Sequence, residues 1–348
     1  MKKPIMSFLM VGLFLLVIVV IMMLKVQKNA PQADFTKVFL KADQEIKAAY
    51  PNVYSLLAAK DDKLVYENYY HGMDKAVSNN VMSVTKSVIS ALIGIVIEEG
   101  KIRGIDEKLV EIFPEYYASG LQPLADTIEL KHVISMTDGF AINNPQNAYD
   151  VVSSENWIKA HLELPLYAKP GTEFYYSNQT THLLSGVITK TTGMKALNYA
   201  NLKIFQPLGM DSDKQWGMDP QGNNIGGIEL HLTPREMVNF GLMYLHNGQW
   251  KGQQIIPENW IKLSTQKQSA GQFFGYGSYG YGWWMLDNDP RYTDQSIYYA
   301  AGYGGQYIFV MPKQQMVVVM TAELPTGNYP DPIKVFTDYI MPAVNPHS

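Results

Sequence analysis

Between Val88 and Ile97 the chain reads Val-Ile-Ser-Ala-Leu-Ile-Gly-Ile-Val-Ile, ten residues without a charge. A helix apolar on nearly every side has no face to offer to water, so such a stretch predicts a helix through the protein interior with other elements laid around it. Gly100 supplies a stop just beyond it. Immediately upstream stands Ser83-Val-Thr-Lys86. Three residues apart on a helix, Ser83 and Lys86 fall on one face, one above the other, close enough to share a proton. Burial disfavours an ammonium, which makes Lys86 a candidate acceptor for the Ser83 hydroxyl proton. The free N–H groups and positive dipole end of the helix start lie where charge would build on an attacked carbonyl oxygen.

The pattern alone is common. At ordinary Ser and Lys frequencies a chain of this length holds about one Ser-x-x-Lys by accident. A second copy, Ser264-Thr-Gln-Lys267, ends an amphipathic segment and reads as surface. A helix cap beside a snorkelling lysine is the plain alternative for Ser83 too, so the rest of the chain has to decide.

The 348 residues are 47% hydrophobic, enough for a large core in one domain or two lobes. A net charge of −4 and the lack of any basic block argue against a nucleic-acid partner. The chain has no cysteine, which removes disulfides, thiolate nucleophiles and Cys-based metal sites. The sequence holds no Gly-x-Ser-x-Gly elbow and no His-Glu-x-x-His pair, and its seven histidines lack metal spacing, so no metal or other cofactor is expected.

Lys2-Lys3 precede an uncharged run from Pro4 to Leu24, long enough to cross a bilayer as a helix. Residues 1–28 are read as a membrane anchor with basic flanks, a cleaved signal segment being the alternative. The leading lysines favour a cytoplasmic N-terminus and an extracytoplasmic remainder, which would be secreted if the segment were cleaved; Lys25 and Lys28 pull the other way. Residues 29–34 form a polar linker, and 35–348 the main domain.

Within that domain Phe35 to Tyr50 has the spacing of an amphipathic helix, and Val53 to Ala59 with Lys63 to Tyr69 read as a hairpin around Lys60-Asp-Asp62. Residues of about 101–210 have the texture of short helices and loops, including a helical run from Thr181 to Thr191. Thr233-Pro-Arg-Glu236 is a capping box opening a helix from Met237 to His246. Strand texture returns at Tyr279 to Leu286, Ser296 to Ala300, Gln306 to Met311 and Met316 to Thr321, before a closing helix from Ile333 to Ile340. Strands at both ends with helices between them predict an α/β fold: one antiparallel sheet built from N- and C-terminal segments and flanked by helices, with an inserted, mainly helical lobe.

Ser83-x-x-Lys86, then Tyr176-Ser177-Asn178 after Pro-Gly-Thr, then Gly302-Tyr303-Gly304-Gly305-Gln306 together resemble the serine β-lactamase and penicillin-binding-protein superfamily. The Tyr-first second motif is similar to the class C-like branch, with its esterases, aminohexanoate-oligomer hydrolases and D-Ala-D-Ala carboxypeptidases. Ile128 to Gly139, Gln206 to Met210 and Leu232 to Glu236 also look like that branch, so the resemblance spans the chain beyond the anchor.

The resemblance implies a serine hydrolase in which Ser83 is acylated, Lys86 accepts or supports the proton, and Tyr176 shuttles protons at the leaving group and the deacylating water. A phenol suits that role if a cation such as Lys86 lowers its pKa from about 10. Asn178 would orient a substrate amide or hold Lys86. Where lactamases and carboxypeptidases carry Lys-Thr/Ser-Gly, Tyr303-Gly304-Gly305 stands here; without the cation the expected substrate is a small neutral ester or amide. The N–H of Gln306 would complete an oxyanion hole with that of Ser83, although the same glycines also suit a β-turn. A β-lactamase or a D-amino-acid peptidase acting on cell-wall peptide is the alternative, and a non-hydrolytic cell-wall or ligand sensor with the same fold is the alternative of another class.

Overall fold

The computed structural model describes residues 35–117, 124–271, 276–324 and 329–345. The apolar run read as an anchor and the linker after it lie outside them; among the described residues no helix is long and apolar enough to cross a membrane.

The elements that place the site are α1 (Phe35–Ala49), β1 (Val53–Lys60), β2 (Lys63–Tyr69), α2 (Thr85–Glu98), α3 (Asn178–Thr192), α4 (Pro234–Leu245), β3 (Trp284–Met285), β4 (Tyr298–Gly302), β5 (Gln306–Met311) and β6 (Met316–Ala322). The strands form one antiparallel sheet in the order β2-β1-β6-β5-β4-β3. The first hairpin is thus joined to the C-terminal strands through β1 and β6, as the split of strand-like segments between the two ends predicts.

Each face of this sheet is covered, which explains why β6 reads as an unbroken apolar run instead of an alternating one. Val317 and Val319 point into a core shared with α2 and α4. Val318 and Met320 point the opposite way, into a second core with Phe39 and Ile46 of α1 and with Val335, Phe336 and Ile340 near the C-terminus. Gly241 lets α4 lie close on the sheet: a Cβ there would stand 2.7 Å from Val317 Cγ1 and 2.8 Å from Ile308 Cγ2. The α4 start is held by the expected reciprocal pair, with Glu236 N–H donating to Thr233 Oγ1 at 3.3 Å and Thr233 N–H to Glu236 Oε2 at 2.9 Å.

Every residue of α2 from Thr85 to Val96 is buried. The apolar helix therefore runs through the interior, between the sheet layer and the helices that include α3.

Two expectations are corrected. Of the segment Tyr279 to Leu286 only Trp284–Met285 forms a strand, because Gly282 turns the chain with φ +78° before it reaches β4. Ser264 is not on the surface: it is buried at the end of the helix Glu258–Ser264, on the face that also buries Trp260 and Ile261, while Lys267 is exposed beyond the helix end. The second Ser-x-x-Lys is a helix terminus with its two side chains in different surroundings.

Candidate active site

Ser83 sits in a single 3₁₀ turn, Met82–Val84, that runs directly into α2. Met82 takes φ +50°, a left-handed conformation costing an L-residue about 1–2 kcal/mol. The turn is pinned there: Met82 N–H donates to Asn80 Oδ1 at 2.9 Å, and Thr85 Oγ1 donates to the Met82 carbonyl at 2.6 Å. The result is a sharp entry that leaves Ser83 half-buried at the end of an otherwise buried helix.

One turn on, Lys86 is 2% exposed. Its Nζ lies 3.0 Å from Ser83 Oγ, 2.5 Å from Asn178 Oδ1 and 2.8 Å from the Gly227 carbonyl oxygen. Burial brings the lysine pKa down to about 7. The three oxygens around Nζ belong to neutral groups, so no carboxylate among them holds the ammonium.

Asn178 is brought to Lys86 by the way α3 begins. Ser177 is its N-cap, its Oγ accepting from Thr180 N–H at 3.1 Å. That cap fixes the residues on either side, Tyr176 and Asn178. The lead-in segment is held too, with Gly171 N–H donating to the Thr137 carbonyl at 2.7 Å and Tyr175 N–H to the Met136 carbonyl at 2.9 Å. The Tyr176 ring packs edge-on to Tyr279, centroids 5.8 Å apart, and against Trp284 at 5.3 Å.

Lys86 Nζ lies 4.7 Å from the Tyr176 ring centroid. The expectation of a lysine-acidified phenol is nevertheless reversed. Burial holds the Tyr176 hydroxyl well above the ordinary tyrosine range, opposed only in part by its hydrogen bond with Ser83. Tyr176 is a neutral phenol at neutral pH, and Lys86 is the group whose pKa lies near 7.

The third predicted motif reaches the cleft only through its first residues. β4 ends at Gly302, and Tyr303-Gly304-Gly305 is the turn of a β4–β5 hairpin, with φ +88° and +114° at the two glycines. Gln306 is buried on β5; its side-chain amide donates to the Ala322 carbonyl and accepts from Ala322 N–H at 3.4 Å, extending the ladder past the last β5–β6 pair. Gln306, Gly304 and Gly305 do not line the cleft. What faces Ser83 is Ala301, Gly302 and Tyr303. A Cβ on Gly302 would stand 2.4 Å from the Val81 carbonyl oxygen, so the strand end presses on the turn carrying Ser83. The Gly302 carbonyl accepts from Gly305 N–H at 3.2 Å and thus points to the β5 side. By strand alternation the N–H groups of Ala301 and Tyr303 point to the opposite, cleft side. Gly302→Ala is expected to part these elements and to lower stability by about 1–3 kcal/mol; a urea midpoint equal to wild type would contradict it.

The cleft is a cavity of about 300 Å³. Ile142, Ala148, Tyr175, Tyr276 and Tyr303 supply much of its wall, and none of its described lining residues carries a charge. Among the described residues no group of three or more His, Asp or Glu side chains is arranged to hold a metal. Sequence reasoning missed the Gly227 carbonyl, Tyr276 and Ala301, and gave Gly302 no role of its own. A backbone carbonyl has no signature of its own; the Gly226-Gly227 pair was the available hint.

Comparison with known proteins gives a match to the family described as Beta-lactamase over residues 43–334. The 6-aminohexanoate-dimer hydrolase of Paenarthrobacter ureafaciens is 22% identical over 306 residues, covering 80% of this chain and 73% of that protein. Among solved structures, EstCE1, a hydrolase with promiscuous acyltransferase activity, superposes with a TM-score of 0.72 at 18% identity, covering 90% of this chain and 98% of the other. The octameric penicillin-binding protein homologue from Pyrococcus abyssi has a TM-score of 0.67 at 19% identity, covering 90% and 77%.

Proposed function

This chain belongs to the Beta-lactamase family, a family of β-lactamase-fold hydrolases, and from that premise we propose that it hydrolyses small uncharged esters or amides through an acyl-enzyme on Ser83. The observation that carries the reading is the surrounding of Lys86 Nζ. A neutral amine has two N–H bonds and one lone pair. With the N–H bonds given to Asn178 Oδ1 and the Gly227 carbonyl, the lone pair is left for the Ser83 proton.

In this mechanism Ser83 Oγ attacks the substrate carbonyl carbon as its proton passes to Lys86. The developing oxyanion lies between the N–H groups of Ser83 and Tyr303, the second in place of the Gln306 donor expected from the sequence. Tyr176, hydrogen-bonded to Ser83, relays a proton to the leaving oxygen or nitrogen and stays a phenol at rest. Water then attacks the acyl-enzyme carbonyl, a proton returns to Ser83 Oγ, and the acid is released.

The uncharged cleft supports a neutral substrate, since an anionic group there would lose water without gaining a counter-charge. The name of the 6-aminohexanoate-dimer hydrolase points to an amide as well. A panel of p-nitrophenyl acetate and butyrate, an aminohexanoate dimer, a chromogenic cephalosporin and a D-Ala-D-Ala peptide tests the reading. Turnover of the neutral esters above the carboxylate-bearing substrates is expected; the reverse order would overturn it. The run Pro4 to Leu24 supports, in addition, a membrane-anchored enzyme with its cleft outside the cytoplasm.

A further inference from the structure

Of the two carbonyls that hold Lys86, one is supplied by a loop whose own anchoring takes no part in the chemistry above. Gly226 and Gly227 lie directly on the first turns of α3. A Cβ on Gly226 would stand 2.5 Å from the Thr181 carbonyl oxygen, and one on Gly227 2.7 Å from Asn178 Cα, so this approach requires glycine at both positions. What ties the loop to the helix is His182, four residues beyond Asn178 and therefore on the same helix face. Gly226 N–H donates to His182 Nδ1 at 3.3 Å, and His182 Nε2 lies 3.0 Å from Asp219 Oδ2. Asp219 also accepts from Asn223 N–H at 2.7 Å and from Asn223 Nδ2 at 2.9 Å. His182, Asp219 and Asn223 are all buried.

We propose that His182 and Asp219 are a positioning pair for Lys86: Asp219 keeps the imidazole proton on Nε2, Nδ1 thereby grips Gly226 N–H, and the adjoining Gly227 carbonyl is held on Lys86 Nζ. The inference rests on the reading of Lys86 as the base. An imidazole that accepts at Nδ1 has to carry its proton at Nε2, and a carboxylate beside Nε2 selects that tautomer. If the Gly227 carbonyl drifts away, one N–H of the amine loses its acceptor and is free to swing onto Ser83 Oγ, which turns the lone pair off the nucleophile. His182 acts only through the loop, since it does not line the cleft. Among the described residues, His161 also faces it, and burial takes that group down to about 3 and so keeps it neutral. The Trp157 ring stands edge-on to His182 at 5.3 Å. Among the described residues, Tyr176 is the titratable group beside Lys86.

Two measurements test the pair. In protein labelled with ¹⁵N-histidine, with the His182 signals assigned by their loss in His182→Asn, His182 is expected to carry its proton on Nε2 and none on Nδ1 at the pH of the kinetic assay; a proton on Nδ1 overturns the proposal. In steady-state kinetics on p-nitrophenyl butyrate, His182→Leu is expected to lower kcat/KM by about 10–100-fold, the usual scale for a group that orients a catalytic one, with a displaced acidic limb of the pH profile. His182→Asn, whose Oδ1 can stand in for Nδ1, should stay within about 3-fold of wild type. Asp219→Asn, which can reverse the tautomer, should behave like His182→Leu, and it decides the matter should the leucine variant not fold. A wild-type rate and pH profile in the folded variants overturns the pairing alone. Wild-type protein that is not acylated at Ser83 by any ester fails the enzyme reading itself, so the two failures are distinct.

Discussion

Ser83→Ala is expected to abolish covalent labelling by a fluorophosphonate and to lower kcat/KM on p-nitrophenyl esters by about 10⁴-fold or more. Without Oγ there is no atom to carry the acyl group, and the remaining oxyanion donors can only assist a water that Lys86 is not placed to aim. The change should leave the fold alone, because Ser83 is half-buried and its Oγ is a partner of Lys86 and Tyr176 instead of a core contact. Equal labelling of wild type and variant would remove Ser83 from the mechanism.

Lys86→Met should lower turnover by about 10²–10⁴-fold, the usual worth of a positioned general base. In wild type, kcat/KM should rise with pH through about 7, as Lys86 loses its proton. The variant should lose that limb. Stability should move the other way. The folded-state pKa lies below the unfolded value of about 10.4, so between about pH 7 and 10 the unfolded chain binds a proton that the folded chain does not. The penalty for burying this lysine is therefore full below pH 7 and fades as pH rises toward 10. Lys86→Met is thus expected to be more stable than wild type at neutral pH, with the gain shrinking at high pH; chemical denaturation at pH 7 and pH 10 reads it. A variant that keeps the pH 7 limb would show that another group titrates there.

The sequence made the first half of the site readable because Ser83 and Lys86 belong to one helix, where spacing alone fixes proximity. Tyr176 and Asn178 could be tied to them only through the ordered set of motifs. Their actual convergence depends on the Ser177 cap and on how α3 packs beside α2. Of the third motif Tyr303 lines the cleft, while its glycines take the alternative of a β-turn, with the positive φ of the hairpin, and the strand edge beside Ser83 falls just before them. Ser264 reads as surface because polar residues follow it, although the buried face of its helix reaches its last turn. The sheet itself was legible in outline because both terminal regions carry runs of β-branched and aromatic residues. The order β1 beside β6 was not, since pairing between distant segments leaves no local mark.

That pairing has a temporal consequence. Ser55 Oγ and Thr321 Oγ1 share a hydrogen bond at 2.7 Å across 266 residues of chain. While the protein is being synthesised, the β1–β2 hairpin must wait, with the β1 edge unsatisfied, until β6 has emerged. Contacts of such sequence separation slow folding and leave an open edge that other chains can engage. Truncation before Met316 would remove β6, and with it the partner that closes the middle of the sheet. Such products are expected to accumulate as aggregates, not as a smaller active enzyme.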